Sequence, residues 1–238
     1  MLKAIDTDLW VAEQPLKYFG LEVGTRMTVI RLTSGKLMVI SPIEMDETTI
    51  NELNQLGEVT YIVVPNLYHH LFVANFKLCY PRAKLWTVSG LERKRPDLQT
   101  NQIISNHSIH AIDGVEYLLV QAFNTLCTSG CSPLNECVFF HVKSRTLIVT
   151  DTVFHFDDQC SPSIRLMAKL LGAYNQLRPS LLEKFATLDK VKVKVKRSIQ
   201  QLLTWNFERV IMAHGSIIEQ DGKPQFKTGY EWFFKMPL

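Results

Sequence analysis

"YIVVPNLYHHLFVANF" spans Tyr61 to Phe76. Its opening residues are β-branched, aromatic and apolar, the composition of a buried strand. Pro65-Asn66 ends that run, because proline lacks an N–H and restricts the residue before it. Two adjacent histidines follow, and "HLFVANFKLCYP" then suits a helix closed by Pro81. His69 and His70 stand at the joint. They admit two readings: ligands of a metal, or a helix start with packing contacts. In a strand, neighbouring side chains point to opposite faces, but in a loop entering a helix both can turn toward one point.

The same alternation extends on both sides. Upstream, "LWVAE", "RMTVIRL" and "LMVIS" are strand-like, with "SGK" turning the last two into a hairpin. In "PIEMDETTINELNQLG", Ile50, Leu53 and Leu56 recur at helical spacing and Gly57 supplies a stop. Downstream, "AKLWTV" is another strand. Strand, helix, strand, helix, strand argues for α/β layering. From Ile109 to Thr150 the pattern is mostly β, through "VEYLLVQAF", "ECVFFHV" and "RTLIVTD", with "NTLCTSGCSPLN" as a loop between the first two.

Beyond Asp151 the chain turns helical, around Pro162 to Gly172 and Pro179 to Phe185. "LDKVKVKVKRSIQQLLTW" carries alternate lysines, a strand pattern. Val191, Val195, Ile199 and Leu202 nevertheless form a helical stripe, with Asp189 placed to cap it. This predicts a helix with a lysine-rich outer face. "RVIMAHG" is a short strand ending at His214 and Gly215. With no repeat or linker, residues 1–238 read as a single domain.

Bulk composition narrows the function. Of 238 residues, 46% are hydrophobic and 21% charged, enough for a substantial core. A formal net charge of +3 is too small to imply nucleic acid or acidic membranes by itself, and nucleic acid is not an expected partner. Lys190, Lys192, Lys194, Lys196 and Arg197 read as a solvated helix face, since no aromatic platform is interleaved. The start lacks the apolar core of a signal peptide, and no run is long and apolar enough for a membrane span. The five cysteines form no CxxC pair, which argues against a zinc ribbon, and a reducing, cytoplasmic setting with free thiols is the default expectation.

Three strand ends finish in residues able to bind a metal: "VVPNLYHH", "LIVTD" and "VIMAHG". Strand C-terminal ends are where α/β folds gather their sites. His69, His70, Asp151 and His214 can therefore converge although distant in sequence. Asp151 also admits a capping role before "TVFHF", and His214 a hydrogen-bonded place at a strand end. His155 reads as a bystander, and His107, His110 and His141 as surface or packing residues.

The order "MTVIRLTSGKLMVISP…LNQLGEVTYIVVPNLYHH", then "TLIVTD", then "VIMAHG", resembles the metallo-β-lactamase superfamily. "PNLYHHLF", "YPRAKLW" and "SRTLIVTDTVF" are similar, more narrowly, to the DUF4336 family placed near it. The resemblance covers nearly the whole chain. It implies an αββα sandwich, two mixed β-sheets packed face to face with helices outside. It also implies a site derived from the superfamily motif H-x-H-x-D-H. Laid on this chain, that motif puts Pro65 and Leu67 at the first two histidines, His69 at the aspartate and His70 at the last histidine. Cys131 falls on a further ligand histidine, and Ser41 on the aspartate that ends the second strand.

The resemblance therefore implies that the first of the superfamily's two metal positions is lost, with Pro65, Leu67 and Cys131 in place of histidines. The second keeps His69, His70, Asp151 and His214. Three imidazoles and one carboxylate suit one divalent metal, zinc or else iron or manganese. Two functions follow as expectations. One is a metal-dependent hydrolase of an ester, thioester or phosphoester. The other is a metal-free pseudoenzyme whose old cleft binds a small molecule or a protein.

Overall fold

The computed structural model describes residues 1–18, 20–127 and 130–238, with side chains described outside residues 121–133. The chain runs β1 (Lys3–Asp6), β2 (Leu9–Gln14), β3 (Lys17–Tyr18), β4 (Leu21–Glu22), β5 (Thr25–Arg31), β6 (Leu37–Ile40), α1 (Glu47–Leu56) and β7 (Val59–Val64). It continues through α2 (Val73–Cys79), β8 (Lys84–Val88), α3 (Leu91–Lys94), β9 (Gln102–Ile104), β10 (His110–Ile112), β11 (Val115–Cys127) and β12 (Gly130–His141). The last third holds β13 (Thr146–Ile148), α4 (Pro162–Leu171), α5 (Leu181–Ala186), α6 (Asp189–Leu202), β14 (Arg209–Ile211) and α7 (Gly222–Phe234).

Two mixed sheets result. One has the order β1-β2-β5-β6-β7-β8-β9 and the other β10-β11-β12-β13-β14, while β3 and β4 form a small separate ribbon. In the first sheet, pairing is antiparallel up to β6 and parallel from β6 to β9. In the second, the β13–β14 pair alone is parallel.

Strand periodicity explains the layers. Ile30, Met38 and Val63 of the first sheet meet Leu119, Phe139 and Ile148 of the second in a core between the sheets. Their neighbours Val29, Val39, Ile62 and Val64 point the other way, against Leu53 of α1 and Val73 and Phe76 of α2. Leu118, Val138 and Phe140 likewise face Val195, Ile199 and Leu202 of α6 and Phe226, Tyr230 and Phe233 of α7. Strands covered on both faces lose the polar alternation of a half-exposed sheet. This is the expected αββα sandwich of two mixed β-sheets flanked by helices. Among the described residues no helix is long and apolar enough to cross a membrane.

The Gly57 stop acts as expected in α1, and the structure adds an N-cap. Asp46 accepts the Thr49 N–H at 2.7 Å, and Gly57 ends the helix. Three details differ. Asp189 does not cap α6: Leu188 holds that place, and the Asp189 carboxylate instead pairs with Lys192 at 3.1 Å. The described residues of the segment "NTLCTSGCSPLN" are strand, with β11 and β12 paired from Val115↔His141 to Cys127↔Gly130 across a register shift between Val120 and Phe123. Turn-forming residues are tolerated there because the pairing of two long strands outweighs their local preference. The side chain of Cys131 lies outside the described residues. Finally, α2 starts at Val73, so the two histidines sit in the turn before it.

The topology fixes where a site can form. Parallel β13 and β14 end side by side, with Ile148 opposite Ile211. Asp151 and His214 each lie three residues past those ends. β7 ends at Val64 and delivers the histidine turn to the same edge of the sandwich.

Candidate metal centre

Asn66 shapes the turn after β7. Its side-chain oxygen accepts the backbone N–H groups of Tyr68 at 2.8 Å and His69 at 3.1 Å. Its amide nitrogen donates to Asp151 Oδ2 at 2.7 Å and Thr150 Oγ1 at 2.9 Å. One buried side chain thus sets the turn and joins it to the end of β13.

His69 and His214 approach Asp151 from two sides. His69 Nε2 lies 3.2 Å from Asp151 Oδ2, and His214 Nε2 lies 3.4 Å from Oδ1. The two rings are 5.3 Å apart between centroids. One ligand atom from each of His69, Asp151 and His214 can be chosen so that all lie within 4.8 Å of one another.

Each imidazole is held from behind. His214 Nδ1 donates to the Gly24 carbonyl at 2.6 Å. His69 Nδ1 lies 2.6 Å from Ser41 Oγ. Ser41 adopts a left-handed backbone, φ 56°, at the end of β6, and its N–H reaches the Val63 carbonyl at 3.0 Å. Arg26 clamps the His214 loop from beneath. Its guanidinium binds the Met212 carbonyl, the Gly215 carbonyl at 2.7 Å and Glu13 at 2.7 Å. Gly215 itself has φ 84°, and a Cβ there would overlap the His155 carbonyl oxygen.

His70 does not join this group. Its Nδ1 faces Arg95 Nη1 at 3.1 Å, and its carbonyl accepts a hydrogen bond from the same nitrogen at 3.1 Å. The expected four-residue set is therefore three residues in geometry, His69, Asp151 and His214. The turn held by Asn66 aims adjacent side chains apart rather than together. Burial, and then the positive charges of Lys94 and Arg95, push His70 down to about 4.

The charges of the cluster support one another. Burial by itself raises the Asp151 carboxyl. The His69 charge and hydrogen bonds from both imidazoles overcome that effect and hold it well below the usual carboxylate range. Burial likewise lowers His69, yet the Asp151 charge and hydrogen bond leave it above its ordinary value. Beneath them lies Glu136, fully buried, accepting the N–H groups of Thr150 and Asp151 at 2.7 Å each. Burial and the nearby Asp151 charge push its carboxyl up, against those two N–H groups.

The donor set fits a divalent cation. A backbone carbonyl only accepts, so His214 Nδ1 carries a proton, which leaves Nε2, the nitrogen facing Asp151, as the one available to a metal. Ring nitrogens engaged from behind are the usual setting of metal-bound histidine. The ligand atoms of His69, Asp151 and His214 lie within 4.8 Å of one another, with the two imidazoles on different oxygens of the Asp151 carboxylate. Pro65 and Leu67 offer no donor side chain, and Leu67 packs against the hydrophobic core.

Comparison with known proteins agrees with this architecture. Residues 6–92 match the family model described as "Domain of unknown function (DUF4336)". A metallo-β-lactamase from Pontibacter korlensis superposes with a TM-score of 0.62 at 13% identity, over 94% of this chain and 95% of that one. This chain has the metallo-β-lactamase fold. A second such enzyme, from Hirschia baltica, gives 0.64 at 10% identity, over 100% and 98% of the two chains. The metallo-β-lactamase FIM-1 from Pseudomonas aeruginosa, in its mono-zinc form, gives 0.63 at 8% identity, over 99% and 93%. No curated protein sequence matches the chain.

On this metallo-β-lactamase fold, two residues of the centre carry no sequence signal of their own. Asn66 reads as half of a turn, and Glu136 as one polar residue in a strand. Their hydrogen bonds span 85 and 15 residues, which no local pattern conveys. The remaining histidines lie apart from the three-residue group. His107 Nδ1 meets the Leu119 carbonyl at 2.8 Å, His110 stacks on Tyr117, and His141 Nδ1 meets Ser144 Oγ at 2.8 Å. His155 Nδ1 meets the Ser216 carbonyl at 3.2 Å.

Proposed function

We propose that this chain is a mononuclear metal-dependent hydrolase, with His69, Asp151 and His214 as the protein ligands of one divalent ion. The carrying observation is that both imidazoles turn Nε2 to Asp151 while Nδ1 is held from behind. Zinc fits this set of two nitrogens and one oxygen, and iron or manganese also accept it. Three protein ligands rather than four leave a coordination position for solvent or substrate. An ion so placed supplies Lewis acidity toward an ester, thioester or phosphoester bond. Asn66 and Glu136 orient the Asp151 carboxylate and its backbone, and Ser41 and Gly24 fix the rings. The mono-zinc neighbour of the same fold is consistent with a single ion, and residues 1–238 act in this reading as one domain.

A metal-free pseudoenzyme has its own support. Pro65 and Leu67 cannot ligate, and the Pro65 carbonyl is spent on the Cys137 N–H at 2.8 Å. The Asp151 ion pairs are also complete with protonated imidazoles alone. In that reading the cleft binds a small molecule or a protein.

Elemental analysis separates the two. Protein purified without chelator or histidine tag is compared with an Asp151→Ala, His214→Ala double variant. About one equivalent of metal in the parent and none in the variant is the expected result. No metal in either, even after incubation with zinc, iron or manganese, overturns the hydrolase reading.

A further inference from the structure

A cavity of about 370 Å³ opens against the three-residue centre. His69, Asp151 and His214 form part of its wall. Away from them most of the wall is apolar, formed by Leu71, Phe72, Phe154, Phe156, Met167 and Leu171 among others, with His70, Lys94 and Glu183 also reaching it. Four of these apolar side chains come from segments that carry the centre. Leu71 and Phe72 follow His69 in the same turn, and Phe154 and Phe156 follow Asp151. Met167 and Leu171 belong to α4, which closes the other side.

The charged groups of this wall are already engaged. Asp151 faces two imidazoles, and Glu183 closes a capping box with Ser180. Lys94, exposed at the rim, donates to the Leu67 carbonyl at 2.7 Å and lies over the Tyr68 ring. A strongly polar substrate body would surrender its hydration here without equivalent partners. A hydrocarbon chain would gain burial, and methionine at the wall adapts to its shape. The volume suits a small molecule, near the lower end of the usual range of about 300–1,000 Å³.

We infer that this cavity is an acyl-chain pocket, and that the site takes carboxylic esters bearing a medium-length hydrocarbon acyl group. The chain lies between the Phe154–Phe156 segment and α4, and the ester carbonyl meets the His69–Asp151–His214 centre. The reaction consumes water: its oxygen bonds to the carbonyl carbon as the acyl carbon–oxygen bond breaks. One proton goes to the departing alcohol, and the acid forms with the chain still in the pocket. The catalytic half of this inference rests on the metal-hydrolase reading; the binding half does not.

The test begins with chelator-treated protein and the methyl esters of acetic, butanoic, hexanoic and octanoic acids, by titration calorimetry. Neutral esters avoid repulsion from Asp151. Each added methylene is expected to tighten binding about fourfold, the equivalent of about 0.8 kcal/mol per buried CH₂. Leu71 lines the cavity yet is 59% exposed, so Leu71→Asp preserves the core. It should weaken methyl octanoate at least tenfold and flatten the dependence of affinity on chain length. With zinc loaded, acid release followed by pH-stat should show kcat/KM rising along the same series. Affinity that stays flat with chain length overturns the acyl pocket, whatever the metal content. Affinity that rises in protein taking up no metal upholds the pocket and overturns the hydrolase reading.

Discussion

Asn66 and Asp151 meet amide to carboxylate at 2.7 Å, across 85 residues of chain. The contact ties the turn after a strand of one sheet to the end of a strand of the other. Asn66 is fully buried, so removing its side chain leaves several polar groups without a partner. Asn66→Ala should cost about 2–3 kcal/mol of stability, measured by urea unfolding. It should also weaken metal binding about 10–100-fold, the usual effect of losing an outer partner. A variant as stable as the parent would show that the turn holds itself.

Ser41 offers a test in both directions. Its hydroxyl lies behind His69, where a carboxylate would polarise the ring more strongly. Ser41→Asp is compatible with the left-handed backbone at this position, which aspartate tolerates better than most residues. Zinc competition assays should show tighter binding in Ser41→Asp, by about tenfold, and weaker binding in Ser41→Ala. Equal affinities in all three proteins would remove His69 from the ligand set.

His70 gives a pH signature. Its folded value of about 4 lies below the ordinary imidazole value of about 6.5. Between those values the unfolded chain binds more protons than the folded one, so stability falls as pH falls. The contribution is complete above about 6.5 and is lost as pH drops through about 4. Urea unfolding at pH 7.5, 5.5 and 4.5 should show a steeper loss in the parent than in His70→Gln. Parallel losses would mean that His70 titrates normally.

Gly215→Ala probes the loop that carries His214. The substitution meets both a positive φ and the His155 carbonyl oxygen. A loss of about 3 kcal/mol is expected, with weaker metal uptake because the neighbouring ring must move. Thermal unfolding and metal titration of the variant read the two effects separately.

The layered fold was legible because its buried strands are apolar runs bounded by turn residues, and α1 carries a helical stripe and a glycine stop; the short β1, β3, β4, β9 and β10 carry no such run. α7 was hidden by Gly222, Pro224 and Gly229 in its sequence. Two of those are demanded by packing: a Cβ at Gly222 would crowd the Glu208 carbonyl, and one at Gly229 the Leu177 carbonyl. Close approach of a helix to its neighbours thus looks, in sequence, like the absence of a helix. Within the site, strand ends pointed to His69, Asp151 and His214. They could not separate His69 from His70, because the direction of adjacent side chains depends on the Asn66 hydrogen bonds. Nor could they announce Arg95 as the neighbour of His70, since that contact arises only when α3 packs beside the turn.

His214 and Gly24, joined at 2.6 Å, stand 190 residues apart. The ring that completes the cluster is therefore synthesised well after the carbonyl that orients it. A nascent polypeptide carrying only the first sheet has His69 but neither Asp151 nor His214. A cation held by all three residues would therefore be captured only once β14 lies beside β13, and would lock that strand to the hairpin before β5 in a single step.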